Sequence, residues 1–153
     1  MYRISRVPDN KKQYMELLFL ADESEEMIDC YLERGTMFVL DDDGVKAECV
    51  VTDEGDGILE IKNIAVLPGS QKEGYGRALI MFLEKDYNAT GKYTVLRVGT
   101  GDSPLTIPFY EKCGFSEISR IRNFFTDHYH HSIIECGIQL KDMVILEKSL
   151  SIC

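Results

Sequence analysis

Residues 61–79 read Ile-Lys-Asn-Ile-Ala-Val-Leu-Pro-Gly-Ser-Gln-Lys-Glu-Gly-Tyr-Gly-Arg-Ala-Leu. An apolar strand runs into a polar loop bearing glycines, and the loop runs into an amphipathic helix. A helix start presents N–H groups with no intrahelical partner, together with the positive end of the helix dipole. Gly74 and Gly76 let the backbone approach an anion closely, and Gln71, Lys72 and Arg77 add side-chain donors. These residue types in this order suit a phosphate or diphosphate. The alternative reading of the same residues is a helix start with incidental glycines.

Two common phosphate loops do not fit. A nucleotide-triphosphate loop needs Lys and Ser/Thr after its second glycine. Gly69 and Gly74 have the right separation, but Tyr75 and Gly76 follow. A dinucleotide loop needs a third glycine where Leu79 stands. Elsewhere, Asp127, His128 and His130 imitate a metal-ligand set. They sit in a segment with no rigid spacing, and no metal is expected.

The elements around this loop follow from periodicity and punctuation. Tyr2–Val7 alternates as a first strand. Pro8-Asp9 opens a helix with Tyr14, Leu17, Leu18 and Ala21 on one face. Ser24 caps a second helix carrying Met27, Ile28, Tyr31 and Leu32, with Gly35 closing it. Thr36–Leu40 and Val45–Thr52 form a hairpin across Asp43-Gly44. Ile58–Leu67 is a long strand, polar in its first half and apolar in its second. That contrast places one end near solvent or a site and the other in the core.

Gly74–Tyr87 is a helix with Tyr75, Ala78, Leu79, Phe82, Leu83 and Tyr87 on one face. Tyr93–Val98 is a strand, Gly99–Ser103 a turn, and a helix runs to Cys113 and Gly114. Pro108 allows two readings: the helix starts near Thr106, or it is distorted before Tyr110. Another strand lies within Phe115–Phe125. Residues 126–140 are irregular and Asp142–Leu150 is the last strand. The expected fold is a mixed α/β (α+β) sheet with helices on its faces. The strand-helix-strand units bring locally parallel pairing.

With 153 residues and no linker-like stretch, the chain reads as a single domain, 1–153. Its net charge of −9 disfavours nucleic acid and anionic membranes, and attracts cations such as amines. The longest apolar run, Ala78–Leu83, is six residues, far short of the roughly 20 a membrane span needs. Five cysteines, widely spaced and without a C-x-x-C pair, suggest a reduced, cytoplasmic setting. Each reads as a small core residue, except Cys153, which reads as a frayed end.

Gln71-Lys72-Glu73-Gly74-Tyr75-Gly76, five residues after Val66, resembles the [QR]-x-x-G-x-[GA] acyl-coenzyme A loop of the GNAT family of N-acetyltransferases. Phe109-Tyr110-Glu111-Lys112-Cys113-Gly114-Phe115 resembles a second mark of that family. Both fall in the family's element order, and the resemblance covers nearly the whole chain. It implies a mostly antiparallel twisted sheet whose central strand pair splays apart. It also implies acetyl-CoA as acyl donor and a primary amine of a small molecule or peptide as acceptor. A homodimer is a family expectation, and Phe124, Phe125, Tyr129 and the loop around them would serve the substrate pocket or a dimer contact, with simple loop packing as the alternative.

The resemblance also implies roles. Ile64, Ala65 and Val66 would pair with the pantetheine arm like an added strand. Gln71, Lys72, Glu73, Gly74, Tyr75, Gly76 and Arg77 would hold the diphosphate. Asp102 stands near the place of an asparagine that often touches the cofactor. Ser103 is either a cofactor contact or a helix cap. Tyr110 would give a proton to the leaving thiolate. Glu60 would act through water as general base, provided that regular alternation puts it on the face of Ile64 and Val66. A non-catalytic acyl-CoA sensor of the same fold is the alternative function.

Overall fold

The computed structural model describes residues 1–150; Cys153 lies outside them. The elements are β1 (Arg3–Arg6), α1 (Met15–Ala21), α2 (Glu25–Asp29), β2 (Thr36–Asp41), β3 (Val45–Asp53) and β4 (Ile58–Val66). Then follow α3 (Tyr75–Asn88), β5 (Val95–Gly101), α4 (Ile107–Lys112), β6 (Ser116–Ile121), α5 (Phe124–His128), β7 (Ile134–Glu135), β8 (Ile138–Gln139) and β9 (Met143–Ser149). Seven strands form one sheet in the order β1-β2-β3-β4-β5-β9-β6, and β7-β8 is a separate hairpin. Among the described residues only β4 and β5 pair in parallel.

Each face of the sheet buries its own core. Leu79, Ile80 and Leu83 of α3 and Tyr110 of α4 pack on Leu59, Ile61, Leu96 and Leu146 on one side. Leu18 of α1, Ile28 of α2 and the following Tyr31 and Leu32 pack on Val39 and Val50 on the other. Burying a side chain of this size stabilises by about 1.5–3 kcal/mol. The short α1 and α2 are therefore held by packing rather than by their own propensity. Ser24 caps α2 as expected, its Oγ accepting from Met27 N at 3.2 Å.

The first helix differs from its expected start. Residues 11–14 form a tight 3-10 turn, and the α-helix begins only at Met15. Lys11 is drawn aside because its ammonium caps the carbonyls of Leu32 (2.9 Å), Glu33 (3.2 Å) and Gly35 (2.6 Å). Gly35 is not the expected left-handed helix cap, for its φ is not positive. A Cβ there would lie 2.7 Å from Val50 Cγ1, so what the position needs is space.

Two other readings change. Gly99 and Gly101, expected in a turn, belong to β5, which pairs with β9 as far as Met143. Cβ atoms on them would lie 2.7 Å from Met143 Sδ and 2.6 Å from Leu140 Cδ1. Residues 126–140 are not irregular throughout, since they complete α5 and form the β7-β8 hairpin. Of the two readings of Pro108, the first holds: α4 starts after Thr106 with Pro108 in its first turn, where no amide is needed. Pro104 lies in the turn before it.

The feature that shapes the site is a parting of β4 and β5. They pair from Ile58 with Val95 to Ile61 with Val98, and no further. Beyond that point β4 continues on β3 alone through Val66. The register on β3 slips at the same place, Val50 opposite Asn63 but Val51 opposite Ile61, so Lys62 is bulged. A bulge bends its strand and raises the local twist, which turns the end of β4 away from β5.

Candidate active site

The gap between β4 and β5 opens into a cavity of about 360 Å³. Ile61–Ile64 and Val98–Gly101 form its floor, and Tyr110 and Thr106 stand at one side. Its walls are the end of α1 with Asp22 and Glu23, the aromatic residues Phe125 and Tyr129, and Ile133–Glu135 of the hairpin. Residues 126–140 thus supply one wall.

The loop leading into α3 is built as an anion cradle. Lys72 and Gly74 both have positive φ, 71° and 85°. Left-handed residues separated by one other curl the chain so that successive amides point to one side. The first intrahelical bond runs from Ala78 N to Gly74 O at 3.0 Å. Among the described residues, none accepts from the amides of Gln71 through Arg77. A Cβ on Gly74 would meet nothing within 4 Å, and the loop is open to solvent there.

The second glycine has another purpose. A Cβ on Gly76 would lie 3.1 Å from Phe109 Cζ and 3.8 Å from Val66 Cγ2, so this glycine lets α3 press against α4 and β4. Tyr75 turns away from the loop: its hydroxyl donates to Asp42 Oδ2 at 2.6 Å, which pushes its pKa up to about 12. Gly74→Ala keeps the space but strains a left-handed position, at about 1 kcal/mol or more. The expected result is a weaker coenzyme A complex, by about fivefold or more in Kd. Isothermal titration of the variant with coenzyme A checks it.

Tyr110 is 5% exposed, and its ring is held edge-on by Phe109 and Phe115. It lines the cavity, and among the described residues its hydroxyl has no hydrogen-bond partner. Burial is the main cause that raises its pKa above the ordinary tyrosine value, with nearby Cys113 and Glu48 adding to it. The phenol is therefore a protonated donor facing the gap.

Glu60 is placed differently from its expectation. The bulge at Lys62 reverses the alternation, so Leu59 and Ile61 share the α3 face with Ile64 and Val66. Glu60 therefore faces the other side, with Asn63 and Ala65. Its carboxylate pairs with Lys62 at 2.6 Å and lies 3.9 Å from Arg97. It is not among the residues lining the cavity. The polarity contrast along β4 is not one of depth either, because burial alternates along the whole strand. Asn63, in its middle, is nearly inaccessible and donates from Nδ2 to Leu18 O and to Tyr31 Oη, both at 3.0 Å.

In the turn after β5 the polar side chains are engaged within the protein. Ser103 is 2% exposed and its Oγ accepts from Leu105 N at 3.0 Å, which shapes the turn before α4. Asp102 is held by Arg120 at 2.6 Å. His130 and His131 face Glu26 (3.7 Å) and Glu23 (2.8 Å) across the loop. Among the described residues, no group of three or more His, Cys, Asp or Glu side chains is placed to hold a metal. No helix among them is long and apolar enough to cross a membrane.

Among the described residues the sheet parts at its one parallel pair, next to a helix start with unpartnered amides, which is the arrangement implied by the resemblance to acyl-coenzyme A-dependent transferases. The chain belongs to the GNAT family: the model described as "Acetyltransferase (GNAT) domain" matches residues 33–117. It is similar to the "Uncharacterized N-acetyltransferase YvbK" of Bacillus subtilis, 35% identical over 146 residues, 94% of each chain. A crystal structure of a GNAT family acetyltransferase from Elizabethkingia anophelis with acetyl-CoA bound superposes with a TM-score of 0.88. It is 32% identical and 97% of each chain is covered. The "[Ribosomal protein bS18]-alanine N-acetyltransferase" of Escherichia coli is 32% identical over 104 residues, 67% of this chain and 70% of that one. The protein is an acetyl-CoA-dependent N-acyltransferase.

Proposed function

We infer that the protein transfers the acetyl group directly to a primary amine seated in the β4–β5 cavity, with Tyr110 as general acid. The observation that carries this reading is the unpartnered, buried phenol of Tyr110 lining the gap. When bound, acetyl-CoA supplies a thioester with an electrophilic carbonyl carbon. The amides of Gln71 through Arg77 hold its diphosphate, with Gly74 giving the loop its curl. The free edge of β4 from Ile64 to Val66 takes the pantetheine arm as an added strand, and a backbone N–H there polarises the carbonyl.

The amine must arrive neutral, and an alkylammonium has a pKa of about 10.4. Its nitrogen attacks the carbonyl carbon, a C–N bond forms and the C–S bond breaks. Tyr110 gives its proton to the departing sulfur, and the nitrogen's surplus proton leaves through the open mouth to water. The relatives include one named for an alanine of a ribosomal protein, so peptide amines belong in the substrate panel beside small ones. Free-thiol release from acetyl-CoA, followed over such a panel, tests the reading. The expected result is acceptor-dependent release. Coenzyme A binding without release from any amine would favour a sensor instead.

A further inference from the structure

The cavity that Tyr110 lines also holds a carboxylate that the reaction does not use. Asp22 follows α1, half-buried, and three groups of the protein fix it. Tyr129 Oη donates to Oδ1 at 2.7 Å, Ser24 N donates to Oδ1 at 3.3 Å, and Tyr31 Oη donates to Oδ2 at 3.3 Å. Tyr31 is itself held by Asn63 of β4, so the network reaches from the cavity floor to its wall. An ionised carboxylate has about four acceptor positions. Three are filled, and the residue lines the cavity.

Among the described residues no cation answers it: Asp22 has no ion pair, and neither does Glu135 on the hairpin wall. Lys62, the one lysine lining the cavity, is engaged by Glu60. The unpartnered Tyr110 phenol opens into the same space, so the fixed charge and the reactive edge share one chamber. The same lining holds three large apolar side chains, Phe19, Leu20 and Ile134, that are exposed to solvent.

We propose that Asp22 is the specificity-determining residue of this cavity, selecting small alkyl or arylalkyl amines that are cationic in water and carry no carboxylate. This rests on the transferase reading for its chemistry but not for its binding step. A fixed carboxylate attracts the ammonium and repels an acceptor's own carboxylate, and the rejection is as important as the attraction. Phe19, Leu20 and Ile134 offer apolar surface to the carbon skeleton. The phenols set the position of the charge, and Tyr129, at the shorter contact, is the main positioning residue.

Matched acceptors decide it: phenethylamine against phenylalanine, and 1,5-diaminopentane against lysine. Each is titrated into the coenzyme A complex of the wild type and of Asp22→Asn, and thiol release is measured separately with acetyl-CoA. The wild type is expected to bind each amine at least about tenfold more tightly than its amino acid. Asp22→Asn is expected to reduce that preference at least fivefold (about 1 kcal/mol), through KM with little change in kcat. Tyr129→Phe should fall between the two, with coenzyme A affinity unchanged in both variants. Equal binding of amine and amino acid by the wild type, or an unchanged preference in Asp22→Asn, overturns the proposal. Selective binding without thiol release supports it and overturns the transferase reading alone.

Discussion

Replacing Tyr110 with Phe is expected to lower kcat by about 10²–10⁴-fold while leaving coenzyme A affinity within about twofold. The two outcomes separate because of where the side chain sits. Its ring packs between Phe109 and Phe115, so Phe fills the same space and α4 keeps its place. The hydroxyl has no described protein partner to lose, so its removal leaves no buried group unsatisfied. What disappears is the proton for the leaving thiolate, whose own pKa is about 8.5 by analogy with a cysteine thiol. A poorer acid then limits C–S cleavage. The diphosphate loop and the free edge of β4 are untouched.

The pH profile carries the same signature. Burial holds the Tyr110 phenol above its ordinary value of about 10, so the acid stays protonated through the working range. The rate with a simple amine should rise with pH as the acceptor loses its proton, without an alkaline fall below about pH 10. In Tyr110→Phe the rising limb should persist at the lower rate. Steady-state kinetics of both proteins between pH 6 and 10 check this. A variant with unchanged kcat would place the acid elsewhere.

How much of this was readable depends on whether a feature is local or assembled. The loop from Gln71 to Arg77 is legible because its function lies in the main chain. A glycine at a left-handed position and a helix start are written in consecutive residues. Tyr110 is legible from its place in a short motif. The acceptor wall is legible only in the loop of Tyr129: Asp22, Tyr31, Asn63 and Tyr129 lie up to 107 positions apart, and only the fold joins them. The bulge that turns Glu60 away from the face of Ile64 and Val66 carries no glycine, since the bulged residue is Lys62. Gly99 and Gly101 mislead for the opposite reason. Glycine suits both a turn and a close packing contact, and Met143 and Leu140, which decide between them, come some forty residues later.

One signal was visible and passed over: Glu48, a single acid between Ala47 and Cys49 in an otherwise apolar stretch of β3. It is fully inaccessible, and neither carboxyl oxygen has a partner among the described residues. It faces the α1 side with Val50, diagonal to Asn63, whose Oδ1 is likewise unpartnered. Burial pushes its pKa well above the ordinary carboxyl range. Below about pH 4.3 the carboxyl is protonated in both folded and unfolded chains and contributes no pH dependence. Above that, the unfolded chain ionises while the folded one keeps its proton, so stability falls as pH rises until the folded value is reached. Within that window each pH unit removes about 1.4 kcal/mol, which for a domain of this size is about 3 °C or more in Tm. Glu48→Gln keeps the shape and removes the titration. Its Tm advantage over the wild type should grow steadily from pH 4.5 upward and level off once Glu48 ionises in the folded protein. Thermal melts of the two proteins at matched pH give the difference directly. A difference that does not change with pH would mean that the folded chain holds Glu48 in an ordinary protonation equilibrium, with a partner or solvent supplied to its carboxylate.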